Sequence, residues 1–313
     1  MMSASRVGAI DLSIIIASYN TKDLLRDCLR SIYETTKGLG FEVIVVDDCS
    51  TDGSAKMVSE LFPDARVIRN ATNLRYAKAN NAGLAAARGR YGLLLNSDVV
   101  VQPGAFQALV EFMERHPDAA AAGPKLINPD GSVQHCIRSF AKPFSMAFQS
   151  LSLHKIWPNN PITDTYYNTR FDYSRAQTVQ SIGTTSFIIR RSTWETYGML
   201  DERLTLAFVD LAYCHMLGQH KQKIYYVPDA VVLHYSGQSI NKDGLKEIRL
   251  MHRELRKFYD YYLAAEHNSV SRMLIRAGIW LRERVKLLEY QLTGDKRVFS
   301  TPGVSAGDNI RNG

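Results

Sequence analysis

The run Leu94-Leu95-Asn96-Ser97-Asp98 ends a hydrophobic stretch on an amide, a hydroxyl and a carboxylate. A carboxylate held at a strand end can ligate a hard cation. Mg²⁺ in particular takes one or two carboxylates and fills its other positions with water and substrate phosphates. A cation so placed neutralises charge developing on a departing phosphate. Taken alone, Asn-Ser-Asp after a strand also describes an ordinary turn. A second acidic pair, Asp47-Asp48, follows the apolar run Phe41 to Val46. Such a pair can accept hydrogen bonds from a base or a ribose, or belong to the cap of the helix that Ser50, Thr51 and Asp52 precede.

The elements that must hold these groups follow from hydrophobic spacing. Leu12 to Ala17 is a continuous, β-branched run, the pattern of a strand buried on both faces. Helices are expected over Lys22–Thr36, Ser54–Phe62 and Tyr76–Arg88, and strands over Phe41–Val46, Ala65–Arg69 and Tyr91–Leu95. This alternation predicts an α/β chain with a mostly parallel sheet flanked by helices. Ligands of such sheets bind beyond the carboxyl ends of the strands. Three polar loops meet there by that rule: Ser18 to Thr21, Asp47 to Asp52, and Asn96 to Asp98. Further along, a helix is expected over Pro103–His116 and a short strand over Ala119–Ala122, with a hairpin tip at Asn128-Pro129-Asp130-Gly131. Residues 139–178 are irregular and aromatic, either a lid beside an acceptor or an insertion that covers the core. Ser186–Ile189 is apolar. Helices are expected from Ser192 to Tyr197 and from Asp210 to Gln219. Ile224–Val227 and Val231–Tyr235 read as two strands, and two helices follow, the second over Val270–Leu292.

The chain has 313 residues and a net charge of +7, which suits an anionic partner. Residues 242–297 hold 13 Lys/Arg against 8 Asp/Glu, so +5 of that excess lies there. Cys28, Cys49, Cys136 and Cys214 show neither CxxC pairing nor zinc spacing and read as reduced thiols of a cytoplasmic protein. The first residues lack the long apolar core of a secretory signal, and no run reaches the roughly 20 apolar residues of a membrane span. No GxGxxG follows the first strand, and GxxxxGK[ST], GxSxG and HExxH do not occur. This disfavours dinucleotide oxidoreductases, P-loop enzymes, serine hydrolases and zinc peptidases. The charge excess is too modest, and too poor in a reading surface of aromatics, for a nucleic-acid binder.

Five ordered motifs resemble the inverting glycosyltransferases of family 2, in particular the bacterial rhamnosyltransferase-like members of cell-surface polysaccharide pathways. They are Ser13–Asn20 (SIIIASYN), Val45–Ser54 (VVDDCSTDGS), Asn73–Gly83 (NLRYAKANNAG), Leu94–Asp98 (LLNSD) and Tyr225–His234 (YYVPDAVVLH). The resemblance covers about residues 11–240. It implies the Rossmann-like GT-A fold, a nucleotide-sugar donor (dTDP-rhamnose or a UDP-hexose), a glycan or polyprenyl-linked acceptor, and Mg²⁺ or Mn²⁺. Carried over, Ala17, Ser18, Tyr19, Asn20 and Asp48 form the base and ribose site, with Asp47 beside them. Asn73 and Asn81 line the donor pocket. Arg75 stands where glycine is frequent and either reaches a donor phosphate or points to solvent. Asn96 and Ser97 lead to Asp98, the metal-binding acid, and His234 completes the metal and diphosphate site. Gly183 and Thr184 lie on the acceptor side.

The resemblance places the catalytic base at Asp210. The family shows a run like Glu-Asp-x-Asp at a helix start, whereas this chain reads Val209-Asp210-Leu211-Ala212. Asp210 remains without its acidic neighbours, a loss expected to lower its pKa by removing like charge. The same loss keeps open a relative that binds a nucleotide-sugar without transferring it. A nucleotidyltransferase would want a glycine-rich basic loop after the first strand, and Ala17-Ser18-Tyr19-Asn20 is neither. Expected boundaries are a tail at 1–11, the catalytic domain at 12–240, helices at 241–295 and a disordered tail at 296–313. The last helix carries an apolar stripe, Val270, Met273, Leu274, Ala277, Leu281, Val285 and Leu288, among arginines. It suits a peripheral position on the inner face of an anionic membrane, packing on the catalytic domain, or a homodimer.

Overall fold

The computed structural model describes residues 10–140, 168, 170–235 and 244–294. The expected tails at either end, most of the irregular segment and the boundary near 240 lie outside the described residues. The chain divides into two compact units: Met1–Arg138 with Phe171–Ile240, and Ser139–Arg170 with Asn241–Gly313.

In the first unit, β1 (Leu12–Ser18) is central. Leu12, Ile14, Ile15 and Ile16 are wholly buried, as the apolar run requires. β2 (Phe41–Asp47) and β4 (Tyr91–Asn96) flank β1 in parallel, and β3 (Arg66–Arg69) continues the parallel set beyond β2. The connecting helices are α1 (Lys22–Thr35), α2 (Ser54–Leu61) and α3 (Arg75–Ala86). Beyond β4 the sheet becomes mixed. β10 (Ser186–Arg190) runs antiparallel to β4 and to β6 (Ala119–Ile127), and β6 pairs in parallel with β11 (Lys223–His234). β5 (Val99–Val101) and β8 (Gln177–Val179) each run antiparallel to β11. A separate ribbon joins β7 (Ile137–Arg138) to β9 (Ser181–Ile182). The remaining helices of this unit are α4 (Ala105–Arg115), α5 (Arg191–Tyr197) and α6 (Val209–Gln219).

Two expectations change. The strand from Ala119 runs to Ile127, well past Ala122. The two strands expected at 224–227 and 231–235 are one, β11, with a register shift between Val227 and Val231. Pro228 lies inside that shift. It has no N–H to give the ladder, so the pairing breaks while the strand continues. The second unit contains α7 (Gly244–Phe258), a widened π turn at Tyr259–Leu263 and the long α8 (Ser269–Thr293). Among the described residues no helix is long and apolar enough to cross a membrane.

The packing of α3 on β1 turns on one glycine. A Cβ at Gly83 would lie 2.2 Å from Cγ2 of the buried Ile15. Helix propensity alone favours alanine there by about 1 kcal/mol. Overpacking costs about 1–3 kcal/mol, so the clash decides the sign. Gly83→Ala is expected to lower the melting temperature, read by circular dichroism; an unchanged or raised midpoint would show that α3 moves off the sheet without cost.

Candidate active site

The site lies where β1, β2 and β4 end. Their register sets Ser18 beside Asp47 and Ala17 beside Asn96, so the three carboxyl ends are level. A hydroxyl chain crosses the gap: Ser18 Oγ lies 2.9 Å from Thr21 Oγ1, which lies 2.9 Å from Ser97 Oγ. All three residues are buried. Asn20, with a left-handed φ of 53°, accepts the N–H of Thr51 at 2.8 Å and donates its own N–H to Ser50 Oγ. Tyr19 is half exposed at the rim. Asp52 ties two helix starts, accepting from Lys22 N at 2.9 Å and from Ser54 N at 3.0 Å.

The two acids after β2 differ. Asp48 accepts the amide of Asn70 and the backbone N–H of Leu74 on one oxygen and the N–H of Arg75 on the other, all at 2.8 Å. It is the cap of α3 as well as a candidate ribose contact. Asp47 is fully buried, and neither of its carboxylate oxygens has a hydrogen-bond partner; Arg69 Nε stands 3.4 Å away. Arg69 is the cation that faces this desolvated carboxylate. Arg75 has φ 73°, a left-handed conformation that glycine adopts without strain. Its N–H is fixed by Asp48 and by Asn73 Oδ1 at 3.1 Å, while its side chain is exposed. Asn81 is not brought to this cluster by its hydrogen bonds. Its amide donates to Leu200 O and Glu202 Oε1 and accepts from Leu200 N at 3.0 Å, clamping the loop after α5.

Asp98 is buried, with Oδ1 3.5 Å from Nε2 of His234. Gln134 determines what that contact means. Its Nε2 donates to the carbonyl of His234 at 2.9 Å and to Asn128 Oδ1 at 2.7 Å, so its Oε1 is the atom 2.9 Å from His234 Nδ1. Nδ1 must then donate, and the neutral ring carries its lone pair on Nε2. In that form a lone pair and a carboxylate oxygen face each other, an arrangement that either a proton on Nε2 or a cation between them would relieve. Among the described residues no three His, Cys, Asp or Glu side chains gather as a metal cage. Two protein ligands, with the rest from phosphate and water, fit the habit of Mg²⁺ and Mn²⁺. Gln134 was missed in the sequence because nothing in its spacing links it to a histidine 100 positions away.

Asp210 opens α6 after Phe208, whose φ is 62°. Burial raises the Asp210 pKa above its ordinary value, against the opposing pull of the Leu211 N–H, at 2.8 Å, and of Arg138. That direction is opposite to the lowering expected from the loss of acidic neighbours; desolvation outweighs it. Val209 and Ala212 are each 1% exposed, so the positions of the missing acids face the core. A Cβ on Gly183 would lie 3.8 Å from Asp210 Oδ2, and Thr184 O accepts the Tyr76 hydroxyl at 3.1 Å. Burial raises the pKa of that phenol, the Thr184 bond lowers it, and both Asp210 and Asp98 raise it further, so Tyr76 feels both carboxylates. Tyr76 and Arg138 join the candidate residues. Tyr76 lay inside a quoted motif without a role, and Arg138 gave no signal.

The sequence model described as glycosyl transferase family 2 matches residues 13–195. The chain belongs to this family. It is 28% identical over 253 residues to the N-acetylglucosaminyl-diphospho-decaprenol L-rhamnosyltransferase of Mycobacterium tuberculosis, covering 77% of this chain and 81% of the relative. The O-antigen biosynthesis protein RfbC of Myxococcus xanthus is 26% identical over 245 residues, covering 77% of this chain and 18% of that protein. Among solved structures, the mannosyltransferase PcManGT from Pyrobaculum calidifontis, in complex with GDP-Man and Mn²⁺, superposes with a TM-score of 0.57 at 16% identity, over 92% of this chain and 77% of its own. TarS 1–349 of S. aureus gives 0.52 at 19% identity, over 91% and 76%. These likenesses establish the GT-A fold, with the C-terminal helices added to it, and the family makes the chain a glycosyltransferase.

The role assigned to Gln134 has a direct test. Gln134→Leu removes the acceptor that fixes the tautomer of His234. Losing a partner of this type weakens metal binding by about 10–100-fold. Calorimetry with Mn²⁺ and the donor nucleotide is expected to show that loss in Gln134→Leu and to show its recovery in Gln134→Glu. Equal affinity in all three proteins would remove Gln134 from the site.

Proposed function

We propose that this protein transfers a sugar, with inversion, from a nucleotide-diphosphate donor to a hydroxyl of a glycan or lipid-linked acceptor. The observation that carries the reading is Asp210: a carboxyl of raised proton affinity, beside Gly183 and within the electrostatic reach of Tyr76, which also feels Asp98. Base and leaving-group sites are then close but separate, as a single displacement needs. Asp210 takes the proton of the acceptor hydroxyl as the hydroxyl attacks the anomeric carbon. Tyr76 and Thr184 bound the space between that hydroxyl and the donor. Asp47, Asp48 and the Ser18–Asn20 loop hold the base and ribose. Asn73 and Asp48 fix the strained backbone of Arg75, whose guanidinium binds a donor phosphate. Asp98 and His234 hold Mg²⁺ or Mn²⁺, which when bound supplies charge to the departing diphosphate.

The rhamnosyltransferase activity of the mycobacterial relative favours a deoxyhexose such as rhamnose as the sugar and a polyprenyl-diphosphate-linked acceptor. The Mn²⁺ complexes of PcManGT, with GDP-Man, and of GalNAc-T7, with UDP and GalNAc, support the divalent metal. A lipid-linked acceptor brings the enzyme to a membrane surface.

Asp210→Asn is expected to lower kcat by about 10²–10⁴-fold, the usual worth of a general base. Donor affinity, by calorimetry, should stay as in the wild type. The wild-type rate should rise with pH through a value above the ordinary carboxylate range, because the base works only when ionised. Stability should respond in the opposite sense. A carboxyl whose folded pKa is raised contributes stability below its unfolded pKa and loses it as pH rises through the folded value. At neutral pH, Asp210→Asn should therefore melt no lower than the wild type. Full turnover by this variant would leave the base assignment untenable.

Arg75→Gly separates the backbone of Arg75 from its charge. Relief of the left-handed residue should stabilise the fold by about 1 kcal/mol, while KM for the donor rises about tenfold with the loss of one charged phosphate contact. A donor KM unchanged in a stabilised variant would mean that the guanidinium only faces solvent.

A further inference from the structure

α8 is amphipathic in the reverse of the usual sense. Two of its charged residues turn inward: Arg282 and Lys286 are 5% and 8% exposed, beside Ile279 and Leu287. They belong to a polar seam with α7, in which Arg256 meets Glu283 at 2.6 Å and Arg282 Nη1 lies 3.4 Å from His252 Nε2. Tyr290 closes over Gly244, where any side chain would collide with its ring. The outer side carries Val270, Leu274, Leu281, Val285, Leu288 and Leu292, each between 44% and 76% exposed. Soluble helices turn such a stripe to a core, and an exposed one marks an interaction surface.

Three features choose the occupant. With Ala277 included, the stripe advances in steps of four, three, four, four, three and four. Such spacing follows an eleven-residue repeat, which drifts only about 20° per repeat from a straight helix. It runs along one side of a rod about 37 Å long, which suits a plane better than the 3.5-residue seam of a left-handed helix pair. The charge on this side is positive. Both carboxylates of α8 are held in ion pairs, Glu283 with Arg256 and Glu289 with Lys286. Arg284 is exposed and stacks on the exposed Trp280, its Cζ 5.4 Å from the ring centroid. A second copy would bring the same cation to the same face. An indole with a guanidinium over it, at the edge of an apolar stripe, is the chemistry of the headgroup boundary.

We propose that the outer face of α8 lies on an anionic lipid bilayer, with Val270, Leu274, Leu281, Val285, Leu288 and Leu292 in the acyl boundary and Arg284 among the headgroup phosphates. This deepens the reading of a lipid-linked acceptor by naming the surface that meets the membrane. It rests on that reading only for its purpose, and its failure would leave donor binding and the Asp210 test unaffected.

Flotation of the full chain with vesicles of phosphatidylcholine containing about a third phosphatidylglycerol, and with pure phosphatidylcholine, tests it. Binding is expected to the anionic vesicles, to be weaker by about tenfold on the neutral ones, and to fall as salt rises. The double variant Leu281→Glu, Leu288→Glu should lose at least tenfold in binding while keeping its circular dichroism spectrum and its donor affinity. Arg284→Glu should lose binding to anionic vesicles more than to neutral ones. A wild-type chain that stays with the soluble fraction, or a double variant that floats as well as the wild type, overturns the proposal. So does sedimentation velocity showing a wild-type dimer that the double variant converts to monomer, because the face would then belong to a second copy.

Discussion

The pairing of β1 with β2 on one side and β4 on the other brings Ser18 level with Asp47 and Ala17 level with Asn96. Wholly buried β-branched side chains hold this register, because a slip of one residue would exchange the faces of every side chain in β1. Once the strands end level, their polar termini have no choice of neighbourhood. The Ser18–Thr21–Ser97 hydroxyl chain, the cap that Asp48 gives α3 and the brace that Asp52 gives α1 and α2 are the local answers to burying those termini. Each answer also lies in the proposed donor site. On that reading fold and function share the same hydrogen bonds, and a change at Asp48 would affect both.

The second half of the site depends on a different device. β4 ends at Asn96, and the chain turns through Ser97 and Asp98 into β5, which pairs antiparallel with the end of β11 and sets His234 beside Val99. The backbone completes the closure, since the N–H of Tyr235 donates to the carbonyl of Asp98 at 2.9 Å. Gln134, from the turn after β6, then fixes the ring. Its two contacts with His234 use both ends of one amide, so neither ring rotation nor the other tautomer is free to occur. Asp98 Oδ1 and His234 Nε2 are thereby held 3.5 Å apart by the fold itself, the kind of fixed geometry that preorganisation requires.

What could be read from residues alone follows the range over which each signal acts. The apolar runs of β1, β2 and β4 are local, so their type and order were legible and so was the meeting of their loops. Asp98 and His234 came from ordered motifs, which carry positional information that composition lacks, and Asp210 from the place of an acidic run that this chain keeps only in part. Gln134 and Arg138 had no local mark, since their importance arises only when β5, β7 and β9 bring distant segments together. Asn81 is held by contacts that its motif does not announce. Its place in the Asn73–Gly83 run pointed to the donor, yet its three hydrogen bonds go to Leu200 and Glu202. The helix face decides this, and polar residues on α3 do not declare their face by spacing. Pro228 misled in another way, dividing one strand into two because the break it makes in pairing is not a break in direction.

The environment of Asp210 replaces the influence that acidic neighbours would have on it. Acids at positions 209 and 212 would raise its proton affinity by like charge and would keep the helix start wet. Val209 and Ala212 remove that charge and exclude water instead, and burial raises the proton affinity in its place. Arg138 limits the rise, as does the N–H of Leu211. A base must be ionised at the working pH and yet bind a proton avidly in the transition state, which places its best pKa between these opposing influences. Charge and desolvation are interchangeable in setting that value. They differ in what they ask of the acceptor, because a dehydrated carboxylate is relieved when a hydroxyl arrives to donate to it. In the role proposed for Asp210, an acceptor hydroxyl would add a second donor to the Leu211 N–H that the carboxylate already holds.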